Sequence, residues 1–185
     1  MRAWTSVLAA AVILWPAAPA AAQLPERGAR SLQLSPGGSS RVGVWKMVSE
    51  RTNLGVDVGV ALGRGGSDDA DVEDRTSWSL AVAPSLKRYA EPVGPFAPYL
   101  FASVPLGVQR QAFGDSGVQS GWSIGGALAA GLDWFPARGV SLGAHAGLAA
   151  SHNLFGFDAD GGPGVDAESD RFATFGSGLS LHIYF

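Results

Sequence analysis

Apolar and polar side chains alternate along Phe175 to Phe185, which read Phe-Gly-Ser-Gly-Leu-Ser-Leu-His-Ile-Tyr-Phe. Leu179, Leu181, Ile183 and Phe185 share one parity, and Gly178, Ser180, His182 and Tyr184 share the other. Strand side chains alternate between two faces with period two, so this stretch is a strand with one apolar and one polar face. The pattern recurs. Between Asn53 and Leu62, the residues Leu54, Val56, Val58, Val60 and Leu62 alternate with Asn53, Gly55, Asp57, Gly59 and Ala61. Between Ser120 and Phe135, Trp122, Ile124, Leu128, Leu132 and Trp134 oppose Gly121, Ser123, Gly125, Ala127, Gly131 and Asp133.

Five more stretches fit a strand: Ala29–Ser35, Ser39–Ser49, Thr76–Arg88, Phe96–Val108 and Val140–Asn153. With Arg171–Phe185 as the last, the count is eight. In the second, Lys46 interrupts the face made by Val42, Val44 and Val48, while Trp45 and Met47 sit opposite, so its register stays open. Pro84 interrupts the fourth and predicts a bulge or bend, because proline cannot donate to a ladder. Long connections are expected at Gly63–Arg75, Gln109–Gln119 and Leu154–Asp170. Short ones are expected at Glu50–Thr52 and Pro136–Gly139, with Tyr89–Pro95 intermediate and a tight turn at Pro36-Gly37-Gly38. Long and short connections thus gather at opposite ends, as in outer-membrane barrels, except that the tight turn after the first strand falls at the long-loop end.

The amino terminus reads as a processing segment. Arg2, the apolar run Val7–Trp15 and the small residues Ala20-Ala21-Ala22 predict a signal peptide over residues 1–22, cut before Gln23. Residues 23–185 then form one domain. After Gln23 no stretch is long and apolar enough for a membrane-spanning helix, so a membrane-embedded chain of this kind must be a closed barrel. The formal net charge is −3 and no cysteine is present, which argues against nucleic acid as a partner and excludes disulfides and thiolate metal sites.

Two closed eight-stranded arrangements compete, a membrane barrel and a soluble ligand carrier of the lipocalin type. The carrier turns its apolar face inward and needs charges on the other face. Here that other face is mostly Gly, Ser and Ala, and the charges lie between strands. Trp78 and Trp122 fall at one end of their strands, with Trp134, Phe96 and Phe185 at the other. Phe155, Phe157 and Phe172 fall near the long-loop rim. Aromatic residues at both strand ends match the girdles of transmembrane barrels.

A terminal phenylalanine with apolar residues two, four and six positions before it (Phe185, Ile183, Leu181, Leu179) resembles the assembly signal of bacterial outer-membrane barrels. The phrases spanning Gly94–Gly107 and Gly131–Leu148 add to this, and residues 23–185 resemble the small OmpA- and OmpX-type barrels. The resemblance implies an all-β fold: an eight-stranded antiparallel up-and-down transmembrane β-barrel; no peptidoglycan-binding domain is expected after it. It implies an outer-membrane location, contact with membrane lipid and lipopolysaccharide, insertion by the barrel-assembly machinery, and a monomer. A structural or surface-interaction role follows, with an extracellular partner reached through acidic loops; a narrow passive pore is the alternative.

No cofactor, metal or catalytic set is expected. Asp57, Lys87, Tyr99, Asp133, His145, His182 and Tyr184 fall on the polar parity, mostly toward the short-turn half. Buried charges need partners, so pairing among Lys87, Asp133 and the histidines into a floor that narrows or closes the lumen is one reading; a solvated lumen with no special role is the other. Ser151-His152 superficially resembles the nucleophile and base of a lipid A deacylase. Adjacent strand residues point to opposite faces, so the pair cannot act as a dyad. Gly161–Asp166 matches one copy of a Ca²⁺-binding repeat, and one copy cannot stack. With Asp158, Asp160, Asp166, Glu168 and Asp170 the loop could still gather divalent cations, or simply be solvated.

Overall fold

Period-two alternation produces nine β-strands and no helix in the computed structural model, which describes residues 24–36, 40–65, 75–113, 117–158 and 165–185. The expected signal peptide, the cleavage point at Gln23 and the centres of the acidic connections lie outside the described residues. The strands are β1 (Arg30–Ser35), β2 (Arg41–Ser49), β3 (Thr52–Gly65), β4 (Arg75–Tyr89), β5 (Phe96–Ser103), β6 (Leu106–Phe113), β7 (Gly117–Ala137), β8 (Val140–Asp158) and β9 (Val165–Tyr184). Every pairing is antiparallel, and the ring closes where Leu32 of β1 faces Ile183 of β9.

β5 and β6 are one stave of an eight-stave ring. Ser103 faces Ala127 and Leu106 faces Ile124, so the register against β7 runs on unchanged across the break. The same holds against β4, where Ser85 faces Ser103 and Val82 faces Leu106. The break falls where Pro84 and Pro105, both without an N–H, come side by side, and Val104 N–H still donates to Pro84 O at 3.0 Å. The bulge expected at Pro84 is therefore absent, and Val56 faces Pro84 without a register shift. The fold is an all-β, eight-stranded, antiparallel up-and-down barrel.

Strands run further than their apolar alternation suggested. The expected loop Gln109–Gln119 is mostly strand, because β6 continues to Phe113 and β7 begins at Gly117. The acidic connection expected over Leu154–Asp170 likewise lies on β8 up to Asp158 and on β9 from Val165. Polar residues there hold strand form because ladder bonds from both neighbouring staves satisfy the backbone. β9 also carries an irregularity opposite Gly147 and Leu148, after which Thr174 rather than residue 175 faces Leu148. One extra residue swaps the two faces. Phe172 joins the outer face as a result; Phe155 and Phe157 stand near the same rim, at the end of β8, but take lumen parity and so do not belong to an outward girdle.

Leucines and valines point out of the ring. Leu32, Val44, Val58, Leu62, Leu100, Leu128, Leu148 and Leu179 are each more than two-fifths exposed, while Lys87 and Asp133 are at most 1% exposed. In β2 the open register resolves with Val42, Val44, Lys46 and Val48 outside and Trp45 and Met47 inside. The apolar belt ends on one side at Leu62, Trp78, Val108, Trp122 and Phe172, and polar outward residues follow. It ends on the other at Leu54, Leu86, Phe96, Val140 and Phe185.

Candidate functional site

The lumen side of the short turns holds nearly all the buried polar groups. Their placement follows from parity and from what faces them. Gly43 is opposite Asp57, Gly55 opposite Trp45, Gly143 opposite Asp133, and Gly131 opposite both Tyr99 and His145. A Cβ at Gly55 would collide with the Trp45 indole, and one at Gly43 with the Asp57 carboxylate. The small-residue face is thus half of a large-against-small interlock, in which Gly55 makes room for Trp45, Gly43 for Asp57, Gly131 for Tyr99 and Gly178 for His145.

Two nodes result. In the first, Lys87 Nζ donates to both carboxylate oxygens of Asp133 at 3.2 Å. Lys87 also lies 3.0 Å from His182 Nε2. An ammonium has only protons to offer, so Nε2 accepts and His182 is the neutral Nδ1–H tautomer. That proton points to Ser31 Oγ, 3.2 Å away. Tyr89 donates to Asp133 Oδ2 at 2.6 Å, and the face of Tyr99 lies 4.4 Å from Lys87 Nζ. In the second node, Asp57 Oδ1 accepts from Trp45 Nε1 at 3.0 Å and from Gln33 Nε2 at 3.1 Å, and Oδ2 accepts from Ser85 at 3.3 Å.

Below the nodes lies an apolar layer. Met47, Tyr89, Ala97, Tyr99 and Phe135 pack together, with Leu24 and Ala29 of the lead segment against them. The lead is held by Gly28 N–H to Met47 O at 2.7 Å. Tyr184 stacks on His182 with centroids 5.6 Å apart and reaches Phe135 at 6.3 Å. His145 sits one level higher, half-buried, stacked on Phe101 at 4.8 Å and 3.3 Å from the Tyr99 hydroxyl. Above the floor a chamber of about 350 Å³ is lined by Gln33, Arg41, Asp57, Lys87, Phe101 and His145.

Of the residues named from sequence, the structure gathers Lys87, Asp133, His182, Tyr99, Tyr184 and His145 in and around the first node and puts Asp57 in the second. Sequence reasoning missed Tyr89, taken as the start of a connection, though it shares the parity of Ser85 and Lys87. It also missed Trp45, Gln33 and Ser31 as partners. Leu179, Leu181, Ile183 and Phe185 of the terminal motif all lie on the outer face, with Leu179 and Phe185 61% and 71% exposed. His152 bonds Asp170 at 2.8 Å on the outside of β8, and the adjacent Ser151 has the opposite parity. Among the described residues no cluster of three His, Asp or Glu side chains could hold a metal ion.

No family model matches the chain, and no curated protein matches it. A major outer membrane protein from Thermus thermophilus superposes with a TM-score of 0.46 at 14% identity, over 85% of this chain and 99% of that chain. So loose a match decides neither fold nor activity.

Proposed function

We propose that the chain is an outer-membrane barrel that spans the bilayer, is closed at its short-turn end, and serves a structural or surface-interaction role without catalysis. One observation carries this reading: the apolar side chains are outside and the ions inside. Water would penalise a ring of exposed Leu and Val by about 25 cal/mol per Å² of apolar surface, whereas hydrocarbon rewards it. A charge on that face costs about 2–4 kcal/mol at the bilayer midplane, and the belt between its two limits carries none. The outward Lys46 faces Leu54 and so stands at the short-turn limit itself.

The outward Leu179, Leu181, Ile183 and Phe185 then form the strand the barrel-assembly machinery reads. In this reading the ends of β3 and β4 at Gly65 and Arg75 are on the extracellular side, and the acidic sequence between them, with Asp68, Asp69, Asp71, Glu73 and Asp74, is what a partner would meet. The barrel works as a monomer, since its ring has no free edge to pair with a second copy. Ser151 and His152 lie on opposite faces of β8, which supports a non-catalytic role.

The decisive experiment is fractionation followed by gel electrophoresis of boiled and unboiled samples. The expected result is extraction only by detergent, with a mobility shift on boiling; a mature chain soluble without detergent overturns the reading. In planar bilayers the purified barrel is expected to show no stable channel, because the two nodes and the apolar layer fill the lumen. Steady conductance would return the passive-pore alternative.

A further inference from the structure

Above the belt the outer wall carries one continuous cross-strand row. Trp78 faces Arg110, Arg110 faces Ser120, Ser120 faces Gly156, and Gly156 faces Asp166. Residues directly opposite share a face, and the exposed Trp78 fixes that face as the outer one. The next row toward the belt is Leu80, Val108, Trp122 and Leu154, and it ends on the exposed carboxylate of Glu168. Ser120 and Gly156 have little side chain, so a groove of about 610 Å³ opens between the larger groups, lined by Trp78, Arg110, Ser120, Trp122, Leu154 and Asp166. Arg110 is exposed and, among the described residues, has no hydrogen-bond or ion-pair partner.

The position of Arg110 limits what can fill the groove. An outward arginine is costly at the bilayer midplane and costs only about 0–1 kcal/mol at the interface. Arg110 stands one step beyond Val108, the last large apolar residue on the outer face of its stave, so it lies at headgroup depth. A guanidinium matches phosphate with two parallel donors. Indoles favour the same depth, and their flat faces suit the C–H face of a sugar ring. Asp166 closes the far side, three strand spacings or about 14 Å across the wall. A carboxylate there repels a second phosphate and accepts hydroxyl protons. A simple phospholipid head is too short to reach from Arg110 to Asp166, whereas a phosphorylated disaccharide is long enough.

We infer that this groove binds the phosphorylated sugar headgroup of a glycolipid in the outer leaflet. Arg110 takes a phosphate, Trp122 packs against a sugar ring, Ser120 and Asp166 bond its hydroxyls, and the acyl chains descend along Leu80, Val108 and Ile124. The inference rests on the membrane reading above and adds a specific ligand class to it.

The test refolds the full barrel into phosphatidylcholine nanodiscs containing monophosphorylated lipid A or its dephosphorylated counterpart, and measures retained glycolipid by native mass spectrometry. The wild type is expected to retain the phosphorylated lipid and to lose it to neither phosphatidylcholine nor excess inorganic phosphate. Arg110→Gln should weaken retention about tenfold. Trp122→Leu should weaken it less, and Arg88→Gln, at the short-turn end, should leave it unchanged. Equal retention by Arg110→Gln, equal retention of the dephosphorylated lipid, or displacement by inorganic phosphate overturns the site. A wild type that never gives a heat-modifiable band brings down the membrane reading and this inference together; a folded wild type with undiminished binding by Arg110→Gln sinks the groove alone.

Discussion

At the short-turn end of the lumen, Trp45, Lys87, Tyr89, Asp133 and His182 are all at most 2% exposed and bonded to one another or to Asp57. At the far end the same parity carries Ser77, Ser79, Gln109, Gln111 and Gln119 around a cavity of about 310 Å³. Both regions belong to one sheet with one alternation. The difference lies in what faces what: large polar groups against glycines below, middle-sized amides and hydroxyls above. Interlocked sizes exclude water and bring Lys87, Asp133, His182 and Tyr89 together and Asp57 to Trp45, while Asn53 and Ser180 stay buried there with no partner among the described residues; the upper wall leaves room for solvent. Rigidity and closure therefore belong to the floor.

The largest effect should come from breaking the floor's ion pair. Lys87→Met leaves Asp133 buried with only the Tyr89 hydroxyl, and loss of one partner of a buried pair costs about 3–5 kcal/mol. The urea-unfolding midpoint in vesicles should fall accordingly. Adding Asp133→Leu should recover most of the loss, since an apolar replacement of both partners is close to neutral. Gln111→Met in the upper wall should shift the midpoint by less than about 0.5 kcal/mol. Equal losses at the two positions would erase the contrast between the regions.

A smaller effect tests the interlock directly. Gly55→Val drives a side chain into the Trp45 indole and should cost about 1–3 kcal/mol, with loss of Trp45 shielding from aqueous quenchers. Gly126 has nothing within 4 Å of an added Cβ, so Gly126→Ala should leave both readouts unchanged. If the two glycines behave alike, glycine content reflects backbone freedom rather than space for its neighbours.

This interlock also marks how far the sequence could be read. Alternation located the staves and put Lys87, Asp133 and His182 on one face, because parity is a local property. Which residue meets which is set by hairpin offsets, and a shift of one residue reverses every face. Gly55 therefore could not be matched to Trp45, nor Gly43 to Asp57, from the chain alone. Tyr89 was legible by parity and lost to a boundary drawn one residue early. Beyond the belt the signal fails for a different reason. Gln109, Arg110 and Gln111 show no apolar alternation, since both faces there meet water or headgroups, yet neighbouring staves still hold them in the ladder. The face swap near residue 175 of β9 is likewise silent in composition.

The smallest expected effect lies outside the barrel, where charges stay wet. His152, beyond Ala150 on the outer wall, donates its Nδ1–H to Asp170 Oδ1 at 2.8 Å, with Glu168 3.6 Å from Nε2 and the Trp122 ring edge-on at 6.4 Å. The Asp170 hydrogen bond, and then the charges of Asp170 and Glu168, hold its pKa above the ordinary histidine value. Because the folded value is the higher one, this contact stabilises fully at pH below the ordinary histidine value and fades as pH rises through the raised one. Exposure to solvent keeps the contribution slight. In a histidine NMR titration the His152 resonance should move to lower pH in Asp170→Asn, and by less in Glu168→Gln, with little change in the unfolding midpoint. A titration unmoved by Asp170→Asn would mean the carboxylate does not hold the ring in solution, and the outer wall would then differ from the floor in lacking organised polar contacts altogether, not merely in their strength.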